Sequence, residues 1–267
     1  ILVAKNRKKL LMKVWELIKS TMKSYVICKK FQPDIVFGTG YYAAYAAKML
    51  DIPVISQGDS EPALKKIGKW LFLPFNECVL VPECYGYDFG PKMVKYQGYK
   101  ELTYLHPNNF SPDWSACEDL GIKSQEIFFI LRFVSWDAAH DIGQYGFNDE
   151  YKFKIVELLK NYGKVFISSE ARLPSYFEKY RVEIKPDKMH HLLSFSSLFI
   201  GDSQTMATES AILGIPAVRC NSWVGSEDMA NFIELENKYK LLYSFSNPKA
   251  ALEKLSELLA TSDLKKE

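Results

Sequence analysis

The sequence predicts two α/β domains, each a parallel sheet with helices on both faces. Apolar strand-length runs alternate with helix-length segments over residues 34–81 and again over 127–260. That alternation is the mark of parallel strands joined by crossover helices. Between the two sets, residues 101–125 lack strong periodicity and hold Pro107 and Pro112, which reads as an interdomain linker. The expected domains are therefore 1–110 and 111–267, and 267 residues suffice for two domains of ordinary size. Two such Rossmann-like sets joined by a linker are expected to face a cleft.

The first domain opens on a basic helix. Residues 1–32 hold nine Lys/Arg against one Glu, net +8, in a chain of net +2, so the remainder is near −6. Leu10, Leu11, Val14, Trp15, Ile18, Met22, Tyr25 and Val26 recur at helical spacing. Two readings stand: a surface helix with a solvated lysine face, or peripheral contact with anionic lipid head groups. Strands follow at Asp34–Gly38, Pro53–Ser56 and Cys78–Val81, with helices at Tyr41–Leu50 and Pro62–Phe72, then turns over Tyr85–Tyr99. Three clear strands are few for such a domain, and the chain opens at Ile1 almost directly in a helix. An N-terminal βαβ portion is expected to be missing from it.

The second domain begins with a strand at Ile127–Leu131. A helix at Asp149–Tyr162, a strand at Lys164–Ser168, a short helix near Pro174–Lys179, a strand at Val182–Ile184 and a helix from Asp187 follow. Then come a strand at Leu198–Ile200, the polar turn Gly201–Thr205, a helix of small residues ending at Gly214, and a strand after Pro216. A strand at Leu241–Phe245 and a helix at Pro248–Ala260 complete the set.

Composition narrows the class. Hydrophobic content of 48% and charged content of 25% describe a soluble globular chain. No run of about 18 apolar residues is present, and the start ILVAKNRKKLL is not a signal peptide. The five cysteines are scattered with no CxxC pair, so neither a structural zinc site nor a disulfide framework is indicated, and a reducing cytoplasm is the expected compartment. Near-neutral charge and the lack of a recognised binding motif argue against nucleic acid.

The most informative stretch is IGDSQTMATESAILGIPAVRCN, residues 200–221. A polar turn at the end of a parallel strand lies where such sheets place ligands. Ser203, Gln204 and Thr205 present hydroxyls, an amide and backbone N–H groups at a helix N-terminus, where the dipole favours phosphate. Farther along the helix Glu209 offers a carboxylate to a ribose diol. Together they indicate a nucleotide-sugar pocket that needs no metal.

A second cluster ends the domain's first strand in IFFILRFVSWDAAHD. Arg132 suits a diphosphate in a bidentate way, Ser135 adds a hydroxyl, and His140 can titrate or donate; the plainer alternative gives His140 a loop-stabilising role. Ser169 and Glu170, after the next strand, suit a nucleobase or a phosphate edge, although Glu170 serves a loop salt bridge equally well. His190 and His191 are adjacent on a helix and point in different directions, which disfavours a shared metal; His191 reads as a helix-surface or loop-packing residue, and a place for His190 near the base pocket is the lesser reading. In the first domain Gly38-Thr39-Gly40 allows close backbone approach. Asp59 and Glu61 follow a strand, where a carboxylate can act as general base on an acceptor hydroxyl. The alternative there is an N-cap by Asp59 or Ser60 before Pro62.

These motifs carry a resemblance. The second half resembles the nucleotide-sugar-binding domain of GT-B glycosyltransferases and of non-hydrolysing UDP-N-acetylglucosamine 2-epimerases. RFVSWDAAHD, Ser168–Glu170, GDSQTMATESAILGIPAVRCNS and GYKELTYLHPNNFSPD (98–113) resemble, more closely, an uncharacterised prokaryotic family of that fold. The epimerases bind diphosphate with an Asp-Ser-Gly-Gly turn and ribose with the second member of a Glu-Glu pair. The resemblance therefore puts Ser203 on the serine and Glu209 on the ribose position, with Gln204 and Thr205 in place of the glycines and Thr208 in place of the first Glu. It implies a metal-independent glycosyltransferase of polysaccharide or glycolipid assembly, with a UDP-type sugar as substrate and no cofactor. Asp59, Glu61 and His140 are the catalytic candidates, and the acceptor is lipid-linked or a saccharide. The alternatives are a 2-epimerase-like enzyme, whose expected cleft carboxylates match poorly here, and a non-catalytic nucleotide-sugar-binding protein.

Overall fold

The predicted apolar runs form two parallel sheets in a computed structural model that describes residues 10–38, 40–58, 61, 68–134, 145–169, 173–225 and 228–261. The chain divides into two units: one runs to Lys100 and includes Met229–Asn231, and the other holds most of the chain from Glu101 onward.

The first unit begins with α1 (Leu10–Phe31), followed by β1 (Val36–Gly38), α2 (Tyr41–Lys48), β2 (Val54–Gln57), β3 (Cys78–Pro82) and β4 (Met93–Tyr96). The strands pair in parallel in the order β1-β2-β3-β4. The turns expected over Tyr85–Tyr99 thus contain a fourth strand, Met93–Tyr96, in register with Val79–Pro82. It escaped sequence reading because MVKY is half exposed and shows no apolar run. α2 buries Ala44, Ala46 and Ala47.

α1 is turned opposite to the usual amphipathic sense. Glu16, Ser20 and Ser24 are buried, while Met12, Val14, Trp15 (68% accessible), Ile18, Met22, Val26 and Phe31 are exposed. The small inward residues suit close packing, and α1 packs extensively on α2.

The second unit opens with two short helices, α3 (Leu102–Leu105) and α4 (Ser115–Glu118). Leu105, Ala116, Cys117 and Ile122 are buried there. The segment expected to be a linker is therefore part of the second unit's packing; its prolines only keep its helices to single turns. β5 (Phe128–Phe133), α5 (Asp149–Leu159), β6 (Lys164–Ser169), α6 (Ser175–Glu178), α7 (Met189–Phe195), β7 (Leu198–Gly201), α8 (Gln204–Ile212), β8 (Ala217–Cys220), α9 (Ala230–Asn237, of which Ala230 and Asn231 count with the first unit), β9 (Leu242–Phe245) and α10 (Pro248–Thr261) follow. Val182–Ile184 is not a strand: a single parallel bridge, Ile167 to Arg181, is all that forms there.

The five strands are parallel, in the order β6-β5-β7-β8-β9. β5 is an interior strand, between β6 and β7, and its Phe128–Leu131 are all fully buried, as a strand covered on both faces requires. α5 is capped by Asn148, whose Oδ1 accepts from Tyr151 N at 3.0 Å, and carries Asp149 and Glu150 in its first turn, both favourable there. α10 contributes Ala251, Leu255 and Leu259 to the core that also holds Leu131, Ile167 and Ile200. α8 gives way at Gly214, whose φ of +79° suits glycine, and Ile215 then leads into β8.

Candidate functional site

β6 and β7 leave β5 in opposite directions, so the switch point of the second sheet lies between β5 and β7. In open parallel sheets the crevice at the carboxyl ends of such strands is the ligand site. Here the loop after β5 starts at Val134 and the loop after β7 at Asp202. The two are tied directly: Val134 N–H donates to Asp202 Oδ1 at 2.8 Å, and Asp202 N–H to the Arg132 carbonyl at 3.2 Å. Asn221, just beyond β8, donates its side-chain amide to the Asp202 carbonyl at 3.1 Å. The carboxylate of Asp202 is buried beside Gly146, where a Cβ would fall 2.3 Å from Oδ2. Ser222 and Tyr145 exchange two further hydrogen bonds, one through the Ser222 hydroxyl. Asp202 is thus the tie between the loops after β5, β7 and β8.

One step beyond Asp202 the chain turns into α8. Ser203 has extended backbone and its Oγ accepts from Met206 N at 3.4 Å, an N-cap. Ser203 and Gln204 are half-buried and Thr205 is exposed. A helix N-terminus with partly accessible hydroxyl and amide residues is thus present here, although the Ser203 cap takes the Met206 N–H; helix N-termini favour anions. β5 and β7 approach closely because Gly201 lacks a side chain: a Cβ there would lie 2.4 Å from the Arg132 carbonyl oxygen.

Ser168, Arg132, Gly201, Arg219 and Ser244 form one register row across all five strands. Arg132 Nη1 donates to Ser168 Oγ at 2.7 Å. This holds a half-buried guanidinium one residue row from the Asp202–Ser203 turn.

Glu209 lies further along α8 and is 7% accessible. Its Oε1 accepts from Tyr104 Oη at 2.9 Å and lies 3.0 Å from His190 Nε2. The Tyr104 and His190 rings stand 5.5 Å apart, and Phe110 meets His190 edge-on at 6.4 Å. Burial, reinforced by the Glu209 charge, pushes the Tyr104 hydroxyl well above its ordinary pKa, so it stays a donor.

Of the sequence-predicted residues, Arg132 and Ser169 lie at the carboxyl ends of β5 and β6, Ser203 caps α8, and Gln204, Thr205 and Glu209 lie within α8. Asp59, Ser135, His140 and Glu170 lie outside the described residues. Glu61 is buried in the first unit, and its two oxygens accept from Gly86 N (2.6 Å) and Ala230 N (2.8 Å). That is the geometry of a carboxylate anchoring backbone. Around Gly38 there is open space, while Gly40 precedes α2 with only the Tyr42 ring close by. His191 turns away from His190: its Nδ1 accepts from Asp113 N at 3.0 Å.

Sequence reasoning missed Asp202, Tyr104 and Arg219. Asp202 carried a signal, a lone carboxylate directly after four buried strand residues. Tyr104 carried none beyond its place in the 98–113 motif.

Two parallel α/β units and this edge define the class: the fold is GT-B-like, the fold of certain glycosyltransferases and 2-epimerases. The chain belongs to the DUF354 family, proteins of unknown function, whose model matches residues 17–227. It is 25% identical over 227 residues to the UDP-N-acetylglucosamine–N-acetylmuramyl-(pentapeptide) pyrophosphoryl-undecaprenol N-acetylglucosamine transferase of Lactococcus lactis subsp. lactis, covering 76% of this chain and 57% of that protein. The chain therefore spans little more than half the length of that relative. Among solved structures, S. aureus MnaA with UDP superposes with a TM-score of 0.62 at 12% identity, covering 96% of this chain and 75% of that one. The Methanocaldococcus jannaschii UDP-GlcNAc 2-epimerase, in complex with UDP-GlcNAc and UDP, gives 0.59 at 15%, covering 93% and 76%.

Proposed function

We propose that the second unit is the donor-binding half of a metal-independent glycosyltransferase that takes a UDP-type sugar. The observation that carries this reading is the Asp202–Ser203 turn at the switch point, opening α8, with Glu209 buried further along the same helix. In this reading Ser203, Gln204, Thr205 and the first N–H groups of α8 receive the leaving diphosphate. Charge that develops on the leaving group is thereby stabilised by fixed dipoles. Arg132, held by Ser168, adds a positive charge, and Ser135, Ser169 and Glu170 are assigned to the phosphate edge or the base. Glu209 receives the ribose. Acceptor activation falls to Asp59, with His140 as the second titrating group, because both oxygens of Glu61 already accept backbone N–H groups.

A lipid-linked acceptor is supported by the Lactococcus relative, whose name specifies an undecaprenol-linked substrate, and by α1. Its exposed Trp15, Ile18, Met22 and Val26 run beside exposed Lys19, Lys23 and Lys30, a composition suited to an anionic interface. Among the described residues no helix is long and apolar enough to cross a membrane; in this proposal the contact made by α1 is a peripheral one. A membrane-surface location on the cytoplasmic side follows as part of the same proposal.

Thermal unfolding with UDP, UMP, ADP and GDP tests the donor assignment. UDP at 100 times its dissociation constant should stabilise by about 2.7 kcal/mol; no shift with any diphosphate sinks it. The epimerase structures favour a second reading, and incubation with UDP-GlcNAc without an acceptor separates the two. An epimer formed there supports the 2-epimerase. Binding without turnover across acceptors supports a non-catalytic binding protein.

A further inference from the structure

We propose that Tyr104 and His190 are positioning residues that hold the Glu209 carboxylate for the ribose of the nucleotide; this rests on the ribose reading of Glu209 given above. The segment GYKELTYLHPNNFSPD is so far unused by the function. The structure gives it a task, because its single-turn helix α3 delivers the Tyr104 hydroxyl to Glu209 Oε1 at 2.9 Å, across 105 residues of sequence. His190 Nε2, from α7, reaches the same oxygen at 3.0 Å.

Glutamate has three side-chain rotors, and a buried carboxylate must find donors for its charge. The Tyr104 hydrogen bond and the His190 contact meet on the same oxygen, Oε1, and so restrict the rotamer of Glu209; in this proposal Oε2 is left to the ligand. The donors are themselves fixed. Tyr104 and His190 face each other with ring centres 5.5 Å apart and planes 32° from parallel, and Phe110, from the same segment, closes on His190 edge-on. His190 cannot swing toward the Asp113 side of α7, because the neighbouring ring His191 occupies it, accepting from Asp113 N and stacked 4.8 Å from Phe110. Affinity for the sugar hydroxyls of the nucleotide is thus set partly by residues that never touch it, as with outer-shell partners that orient a ligating group.

The test is the ratio of dissociation constants for 2′,3′-dideoxy-UDP and UDP, measured by calorimetry on the full chain. A purely structural weakening lowers both affinities and leaves the ratio unchanged. Tyr104→Phe and His190→Ala are each expected to cut the ratio, by about tenfold for loss of one hydrogen bond to a charged group. His190→Gln, which restores an N–H donor, is expected to bring it back. Glu209→Ala is the reference. If it leaves the ratio at the wild-type value, or if the wild-type chain does not bind UDP, the ribose reading fails and takes this inference with it. If Glu209→Ala collapses the ratio but Tyr104→Phe and His190→Ala both leave it intact, the ribose reading stands and the positioning role is overturned. Tyr104→Phe removes one oxygen and adds no volume, so it keeps the comparison interpretable should His190→Ala fold poorly.

Discussion

Arg219 offers the sharpest test of how the second unit is held together. It lies in β8 with no accessible surface, pairs through Nη2 with Asp228, and donates to Ser244 Oγ at 3.0 Å. Its guanidinium carbon sits 3.8 Å from the centre of the Phe232 ring. Nε and Nη1 are buried without a hydrogen-bond partner among the described residues. Burial pulls the Arg219 pKa down and the Asp228 carboxylate opposes that pull. Asp228→Asn removes the neutralising charge and leaves an uncompensated buried cation, which costs about 3–5 kcal/mol. At about 2–4 °C per kcal/mol for a unit of this size, the melting temperature should drop by roughly 6–20 °C. Calorimetry that resolves the β5–β9 transition is the assay. Arg219→Met combined with Asp228→Leu removes both charges and should recover most of the loss. A drop below about 2 °C for Asp228→Asn, with the fold intact, would refute the premise that this pair is buried and mutually dependent.

Further outcomes follow from the same geometry. Gly201→Ala must force β5 and β7 apart, since its Cβ would meet the Arg132 carbonyl at 2.4 Å; a loss of about 1–3 kcal/mol in urea unfolding is expected, and an unchanged midpoint would contradict the close approach. Ser203→Ala should cost about 1 kcal/mol through the lost cap and weaken UDP binding as well, whereas a stability loss with unaltered UDP affinity would confine Ser203 to capping. Burial raises the Cys220 thiol to about 12 and the Cys117 thiol to about 11. Native protein at pH 8 should therefore leave both unmodified by Ellman's reagent. Above the ordinary thiol value of about 8.5 the folded chain holds more protons than the unfolded one, so these two groups make stability fall as pH rises toward 11–12. Rapid native labelling of Cys117 or Cys220 would contradict their burial.

The strands that were plain in the sequence are those covered on both faces. FFILRF and LFIG read as strands because continuous burial demands continuous apolar character. MVKY was hidden because a half-exposed strand of four residues has no such demand, and 182–184 was over-read because VEI is apolar enough for a strand but finds only one bridge. Residues 101–125 looked like a linker because short helices cannot display a 3.6-residue period, although Leu105, Ala116 and Cys117 are core. At the candidate site, the place of Ser203 before α8 and of Glu209 within it is legible from one strand–turn–helix unit, where local spacing decides position. The convergence of Tyr104 and His190 on one carboxylate oxygen is not, since it joins segments far apart in the chain. Glu61 carried the right residue type after a strand, but its role depends on where Gly86 and Ala230 present their N–H groups.

The central claim is that the edge of the second sheet binds a nucleoside diphosphate. A crystal structure of the chain soaked with UDP tests it most directly. The diphosphate is predicted at the N-terminus of α8 against Ser203, Gln204 and Thr205, with a ribose hydroxyl on Glu209 and Arg132 on the phosphate side. A UDP molecule bound elsewhere, or an α8 N-terminus that stays empty at saturating UDP while Glu209 keeps Tyr104 and His190 as its sole partners, would contradict it.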